Sequence, residues 1–151
     1  MQWTYDVVFA AYPDRRDGSD LLTLAKLQKY DAVVLPNSRY LSDSQVEILT
    51  EYVNAGGTLI GFGRIADQDD SGVPRGSTRT FDDYFEKDLI TEVGSGKIIA
   101  FSTDLGKSYY DNAANESTKT SLRETFTNSV DGQLSSDFSL TYTGSGSGSG
   151  E

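Results

Sequence analysis

The sequence predicts an α/β domain of three layers, flavodoxin-like and doubly wound around a mostly parallel sheet. Three observations predict it. Short β-rich apolar runs alternate with amphipathic stretches of helical period, which is the pattern of βαβ units. Residues 31–63 (DAVVLPNSRYLSDSQVEILTEYVNAGGTLIGFG) hold one complete unit of this kind. The length of 151 residues fits one domain, and a chain of this size buries about 68–70% of its unfolded surface, enough for a real core.

Taken in order, residues 5–11 (YDVVFAA) read as a first strand, and residues 13–20 (PDRRDGSD) as a polar loop of turn formers. Asp20 is placed to cap a helix through Leu21, Leu22, Leu24, Ala25 and Leu27. Residues 32–35 form an apolar run with adjacent valines, which suits a strand buried on both faces, and Pro36 ends it. Ser42 and Gln45 make a capping box, and Leu41 and Val46 are spaced for a hydrophobic staple. Val46, Leu49, Tyr52 and Val53 share one helical face. Asp43 and Glu47 sit where the helix dipole favours negative charge. Gly56 fits the left-handed position that stops a helix, and residues 58–62 follow as a strand.

The second half is less regular. Residues 64–79 (RIADQDDSGVPRGSTR) read as a long polar loop at the carboxyl end of a strand. Phe81, Tyr84, Phe85 and Leu89 have helical spacing, so 81–90 is predicted as a short helix whose aromatic stripe packs into the core. Residues 93–96 are a turn, 97–103 a strand, and 104–115 a polar loop. Residues 117–130 are a helix with Leu122, Phe126 and Val130 on one face. Residues 138–143 (FSLTYT) form a further strand. The predicted domain therefore runs over 1–134, with an extra strand in 135–143 and a Gly/Ser tail over 144–151. That tail reads either as a natural low-complexity spacer or as an engineered remnant.

Composition narrows the function. Thirteen basic against twenty-three acidic residues leave a net charge of −10. This opposes nucleic acid and anionic membranes, which need clustered cations, and favours solubility. There is no cysteine and no histidine, so disulfides, thiolate nucleophiles, the usual zinc sites and imidazole catalysis are excluded for this chain. No apolar run approaches the roughly 18 residues of a membrane-spanning helix. The first residues lack the basic and apolar regions of a signal peptide. The expectation is a domain that stays where it is made, or a piece of a longer exported protein.

The phrase KYDAVVLPNSRYLSDSQVEILTEYVNAGGTLIGFG and the later GSGKIIAFSTDLGKSYY resemble the class I glutamine amidotransferase-like superfamily, in its non-catalytic branches. The arrangement is similar to the trimerisation domain of family 42-type β-galactosidases and to related domains of carbohydrate-active proteins. The resemblance covers about residues 5–130. It implies a flavodoxin-like sheet, and an accessory or interaction role beside neighbouring domains or a protein partner, with carbohydrate as a further partner. Two departures matter. The turn where amidotransferases keep their cysteine is Gly61-Phe62-Gly63-Arg64 here. The family's opening β-α unit has no counterpart, so the first strand is missing or replaced, by residues 138–143 or by another chain. An open sheet edge of that kind favours homo-oligomers. The resemblance leans away from an enzyme and names no catalytic residue; the alternatives are a ligand-binding or hydrolytic α/β domain that uses the acidic loops, with calcium, and a self-assembly module.

Candidate ligand contacts follow from position. Asn37 and Arg64 follow strands at their carboxyl ends, where open α/β sheets bind ligands. Asp104, Tyr109 and Tyr110 follow the last predicted strand of the domain, and tyrosines beside polar groups stack on sugar rings. Asp67, Asp69 and Ser71 begin a calcium-loop pattern, D-x-D-x-S-G, but the twelfth position is Thr78 and carries no carboxylate. The expectation is a solvated acidic loop and no cofactor, with calcium as the alternative. Gly61, Gly63 and Ala66 give a loose G-x-G-x-x-A, for which a tight turn is the simpler reading than a phosphate cradle. Asp14, Asp17 and Asp20, and Asp82 with Asp83, are carboxylate clusters with nothing in the sequence to set a catalytic separation.

Overall fold

A computed structural model describes residues 6–8, 10, 21–76, 81–131 and 133. The chain forms α1 (Leu24–Leu27), β1 (Ala32–Pro36), α2 (Asp43–Asn54), β2 (Thr58–Phe62), a 3₁₀ turn (Asp82–Phe85), β3 (Leu89–Val93), β4 (Gly96–Phe101), α3 (Leu105–Asp111) and α4 (Glu116–Val130). Among the described residues the sheet has four strands in the order β1-β2-β4-β3. β1, β2 and β4 are parallel, and β3 turns back on β4 as an antiparallel hairpin. The α/β class and the mostly parallel sheet are those expected. Among the described residues, no helix is long and apolar enough to cross a membrane.

The pleat sends alternate residues to opposite faces. Val33, Leu59 and Ile98 are in register, and they join Leu27 of α1 and Leu49, Tyr52 and Val53 of α2 in the larger core. Ile60, Ile99 and Phe101 face the other way, against Leu105 of α3 and Phe126 and Val130 of α4. Phe62, Phe101 and Phe126 form an aromatic cluster there, with ring centroids 5.5 to 6.2 Å apart. Helices thus cover both faces, and β2 is buried along most of its length.

α2 begins and ends as its sequence predicts. The Ser42 hydroxyl accepts from the Gln45 amide, and the Gln45 side chain accepts from the Ser42 amide. At the other end Gly56 takes φ +109, with Gly56 and Gly57 amides donating to the Val53 and Tyr52 carbonyls. This is a Schellman stop. The Tyr52 ring then lies against bare Gly57, and its hydroxyl donates to the Tyr30 carbonyl at 3.0 Å.

Several expectations are corrected. Residues 81–90 are not a helix. A single 3₁₀ turn places Phe81 and Phe85 together, 5.6 Å between centroids, and Leu89 and Ile90 belong to β3. The spacing of Phe81, Tyr84 and Phe85 reflects that one turn, and Phe85 seats on Gly61, where a Cβ would come within 2.2 Å of its ring. The aromatic stripe is core as expected, since Phe81 and Phe85 are buried. Residues 104–115 are not all loop, because Asp104 caps α3 through the Lys107 amide. α1 is capped by Thr23 and covers only part of the predicted helix, while Asp20 lies outside the described residues. β1 is not buried on both faces: among the described residues it is an outer strand, and Val34 is 45% exposed. Asp6–Val8 pair with no strand, so the part of the 5–11 strand that is described is absent from the sheet. The loop at 13–20, the strand at 138–143 and the tail at 144–151 lie outside the described residues.

Two measurements test this packing. A Cβ on Gly96 would meet the Gly57 and Val53 carbonyl oxygens at 2.3 Å, whereas one on Gly106 would meet nothing nearer than 3.4 Å. Gly96→Val is expected to lower stability by about 3 kcal/mol. Gly106→Ala, within α3, is expected to raise it by about 0.5–1 kcal/mol. Urea midpoints at unchanged slope report both. Burial also pushes the Tyr52 hydroxyl up to about 12 from an ordinary value of 10.0. The unfolded chain releases this proton first, so the contribution is complete below pH about 10 and is lost as pH rises towards about 12. Tyr52→Phe is expected to flatten that alkaline loss while costing about 1 kcal/mol at neutral pH through the missing hydrogen bond.

Candidate functional site

Three chain crossings meet at the carboxyl end of the parallel strands. After β1, Asn37 takes φ +46, a conformation that asparagine tolerates better than most side chains. Its amide extends the ladder by donating to the Phe62 carbonyl at 2.8 Å, and its Oδ1 accepts from the Arg64 amide at 3.2 Å. After β2, Gly63 takes φ +69 and donates to the Phe101 carbonyl at 2.8 Å. A Cβ on Gly63 would lie 3.2 Å from Asn37 Oδ1 and 3.4 Å from the Asp104 Cβ. The structure therefore brings Asn37, Arg64 and Asp104 together around one glycine.

Below this crossing, the chain turns inward through Ile65, Ala66 and Asp67, all buried. Ala66 sits at φ +50, and its amide donates to the Ser38 carbonyl at 2.9 Å. That turn aims Asp67 at Arg39. Arg39 Nε and Nη2 donate to Asp67 Oδ1 and Oδ2 at 3.1 Å each, a fork-to-carboxylate pair. Arg64 Nη2 meets the same Oδ2 at 2.5 Å. The hydrogen bonds it donates to Asp67 hold the Arg39 guanidinium above its ordinary value, against the opposing effect of burial. Arg75 adds a further tie, donating to the Asp43 carboxylate and the Leu41 carbonyl.

The calcium-pattern residues do not point at a common centre. Asp67 is committed to two arginines. Asp69 Oδ1 accepts from the Ser71 and Val73 amides at 2.9 and 2.8 Å, closing its own turn. Among the described residues there is no group of three or more His, Cys, Asp or Glu side chains that could hold a metal ion. Asp82 is buried and Asp83 is exposed, so these neighbours do not form a carboxylate pair on one surface. Asp14, Asp17, Asp20 and Thr78 lie outside the described residues.

Two cavities flank the crossing. One of about 370 Å³ opens at the carboxyl ends of β2 and β4, lined by Gly63, Arg64, Asp67, Asp82, Phe85 and Ser102. Arg64 is its exposed cation, with 64% of the side chain in solvent. The other, about 270 Å³, is an apolar groove on the α4 side between Val34, Phe62, Leu105, Tyr109, Leu122 and Phe126. Tyr109 and Tyr110 are thus not at the polar site. Tyr109 packs beneath Lys119 and Arg123, with Lys119 Nζ 5.2 Å from the ring centroid. Tyr110 is 79% exposed.

The Arg39–Asp67 pair is the feature that sequence reasoning missed. The only local signal is Ala-Asp after a strand, and the partners lie far apart in the chain. No protein family, curated protein or solved structure matches this chain. Asp67→Ala is expected to cost about 2 kcal/mol, since it strips partners from charged donors held against the fold. Arg64→Ala is expected to cost much less, because that side chain is mostly solvated. Thermal and urea unfolding of both variants measure the difference.

Proposed function

We propose that this chain is a non-catalytic accessory domain of the flavodoxin-like, glutamine amidotransferase-like kind. It acts as a scaffold that holds neighbouring domains or a protein partner within a larger, carbohydrate-active or cell-surface protein. The observation that carries this reading is the closure of the strand ends. At the turn where that superfamily places its nucleophile, Gly63 is pinned to Phe101, the Arg64 amide to Asn37, and the Arg64 guanidinium to Asp67. These groups serve the fold, and no side chain there pairs a nucleophile with a base. The parallel order β1-β2-β4 also supports the family type.

A second reading uses the cavity of about 370 Å³ at the carboxyl end of the sheet, with exposed Arg64 at its rim. It would bind a polar ligand such as a sugar, with calcium as an accessory ion. One experiment separates the readings. Calorimetry and melting shifts with calcium and with mono- and oligosaccharides, run beside assays for glutaminase and glycosidase turnover, are expected to show no binding heat, no shift and no turnover. A saturable heat lost in Arg64→Ala would establish the second reading. Turnover abolished by a single substitution would end the first.

A further inference from the structure

The turn between α3 and α4 carries a feature that neither reading uses. The chain has five asparagines, and only Asn115 is followed at the second position by a hydroxyl residue with no proline between: Asn115-Glu116-Ser117. This is the acceptor pattern for N-linked glycans. All three residues are exposed, as are Ala113 and Ala114 before them.

The geometry divides the Asn115 amide into two halves. Its Oδ1 accepts from the Thr118 amide at 3.0 Å, and the Asn115 carbonyl accepts from Lys119 at 3.0 Å. The donor at Thr118 identifies the oxygen, so the Nδ2 half is the one directed away from the backbone. Nδ2 makes no hydrogen bond among the described residues, in contrast to Asn112, whose Nδ2 donates to the Ser108 carbonyl at 2.8 Å. A substituent on Nδ2 leaves the capping oxygen in place.

We propose that Asn115 is an N-glycosylation site, whose donor is a polyprenyl-diphosphate-linked oligosaccharide delivered by an oligosaccharyltransferase. In the transfer, the Nδ2–C1 bond to the first sugar forms as the bond from C1 to the diphosphate oxygen breaks. The lipid diphosphate leaves with the electron pair, and the amide gives one of its two protons to a carboxylate base of the transferase. The Ser117 hydroxyl is the recognition element. The proposal stands apart from the accessory-domain reading, and either can fail without the other.

The test is translation of the full chain behind a secretory signal into microsomes that contain the transferase, followed by mass analysis of the Asn115 peptide. The expected result is one glycan on Asn115, absent in Ser117→Ala and present in Ser117→Thr. Ser117→Ala keeps the Asn115 cap, so its loss of glycan cannot be assigned to misfolding. Imported, protease-protected wild-type chain without a glycan would overturn the proposal. The glycosylated chain is also expected to melt at the same temperature as unglycosylated Ser117→Ala. A fall of several degrees would show that the glycan and the cap compete for the amide, and would overturn the assignment of its two halves.

Discussion

The larger core depends on how closely the end of α2 approaches the start of β4. The contact is backbone on backbone. The Ser95 and Lys97 amides donate to the Asn54 and Gly57 carbonyls at 3.2 Å each, and Gly96 between them faces the Val53 and Gly57 oxygens with no side chain to intervene. This clamp holds β4 beside β2 while α2 lies over both. Tyr52 and Phe85 then fill the space above two further bare positions, Gly57 and Gly61. Large rings resting on glycines let helix and turn lie close to the sheet without a void, which is how an interior reaches close packing.

The loops at the other end are knitted by charge. Arg39, Arg64 and Arg75 all pair with carboxylates or carbonyls of the segment between β1 and the 3₁₀ turn. Arg39 and Arg75 are held close to the fold, while Arg64 stays mostly in solvent, in a chain with thirteen cations against twenty-three anions. Like charges on an acidic surface repel one another, and salt screens that repulsion.

What could be read from the sequence was local. The start and stop of α2 were legible because Ser42, Gln45 and Gly56 act on backbone groups within a few residues. The convergence of Asn37, Arg64 and Asp104 was legible because parallel strands deliver their carboxyl ends to one side, whatever the side chains. β3 was not legible, because Leu89 continues a helical spacing begun by Phe81 and only its pairing with β4 decides the conformation. α3 was hidden by Gly106 and Ser108, which are weak helix formers placed just after a good cap. The Arg39–Asp67 pair depends on the positive φ of Ala66, which no composition rule announces. The exposure of Val34 depends on how far α3 and α4 reach across its face of the sheet, a long-range matter that an apolar run cannot report.

The β3–β4 hairpin has a consequence for how the chain folds. Its two strands are joined by a tight turn, so their pairing closes a very short loop. Pairing β2 with β4, by contrast, must first close the long segment that carries Asp67 and the 3₁₀ turn. Loop-closure entropy favours the short closure, and non-local parallel pairing is slow. The antiparallel edge of the sheet is thus closed at a smaller entropic cost than the parallel β2–β4 pairing beside it.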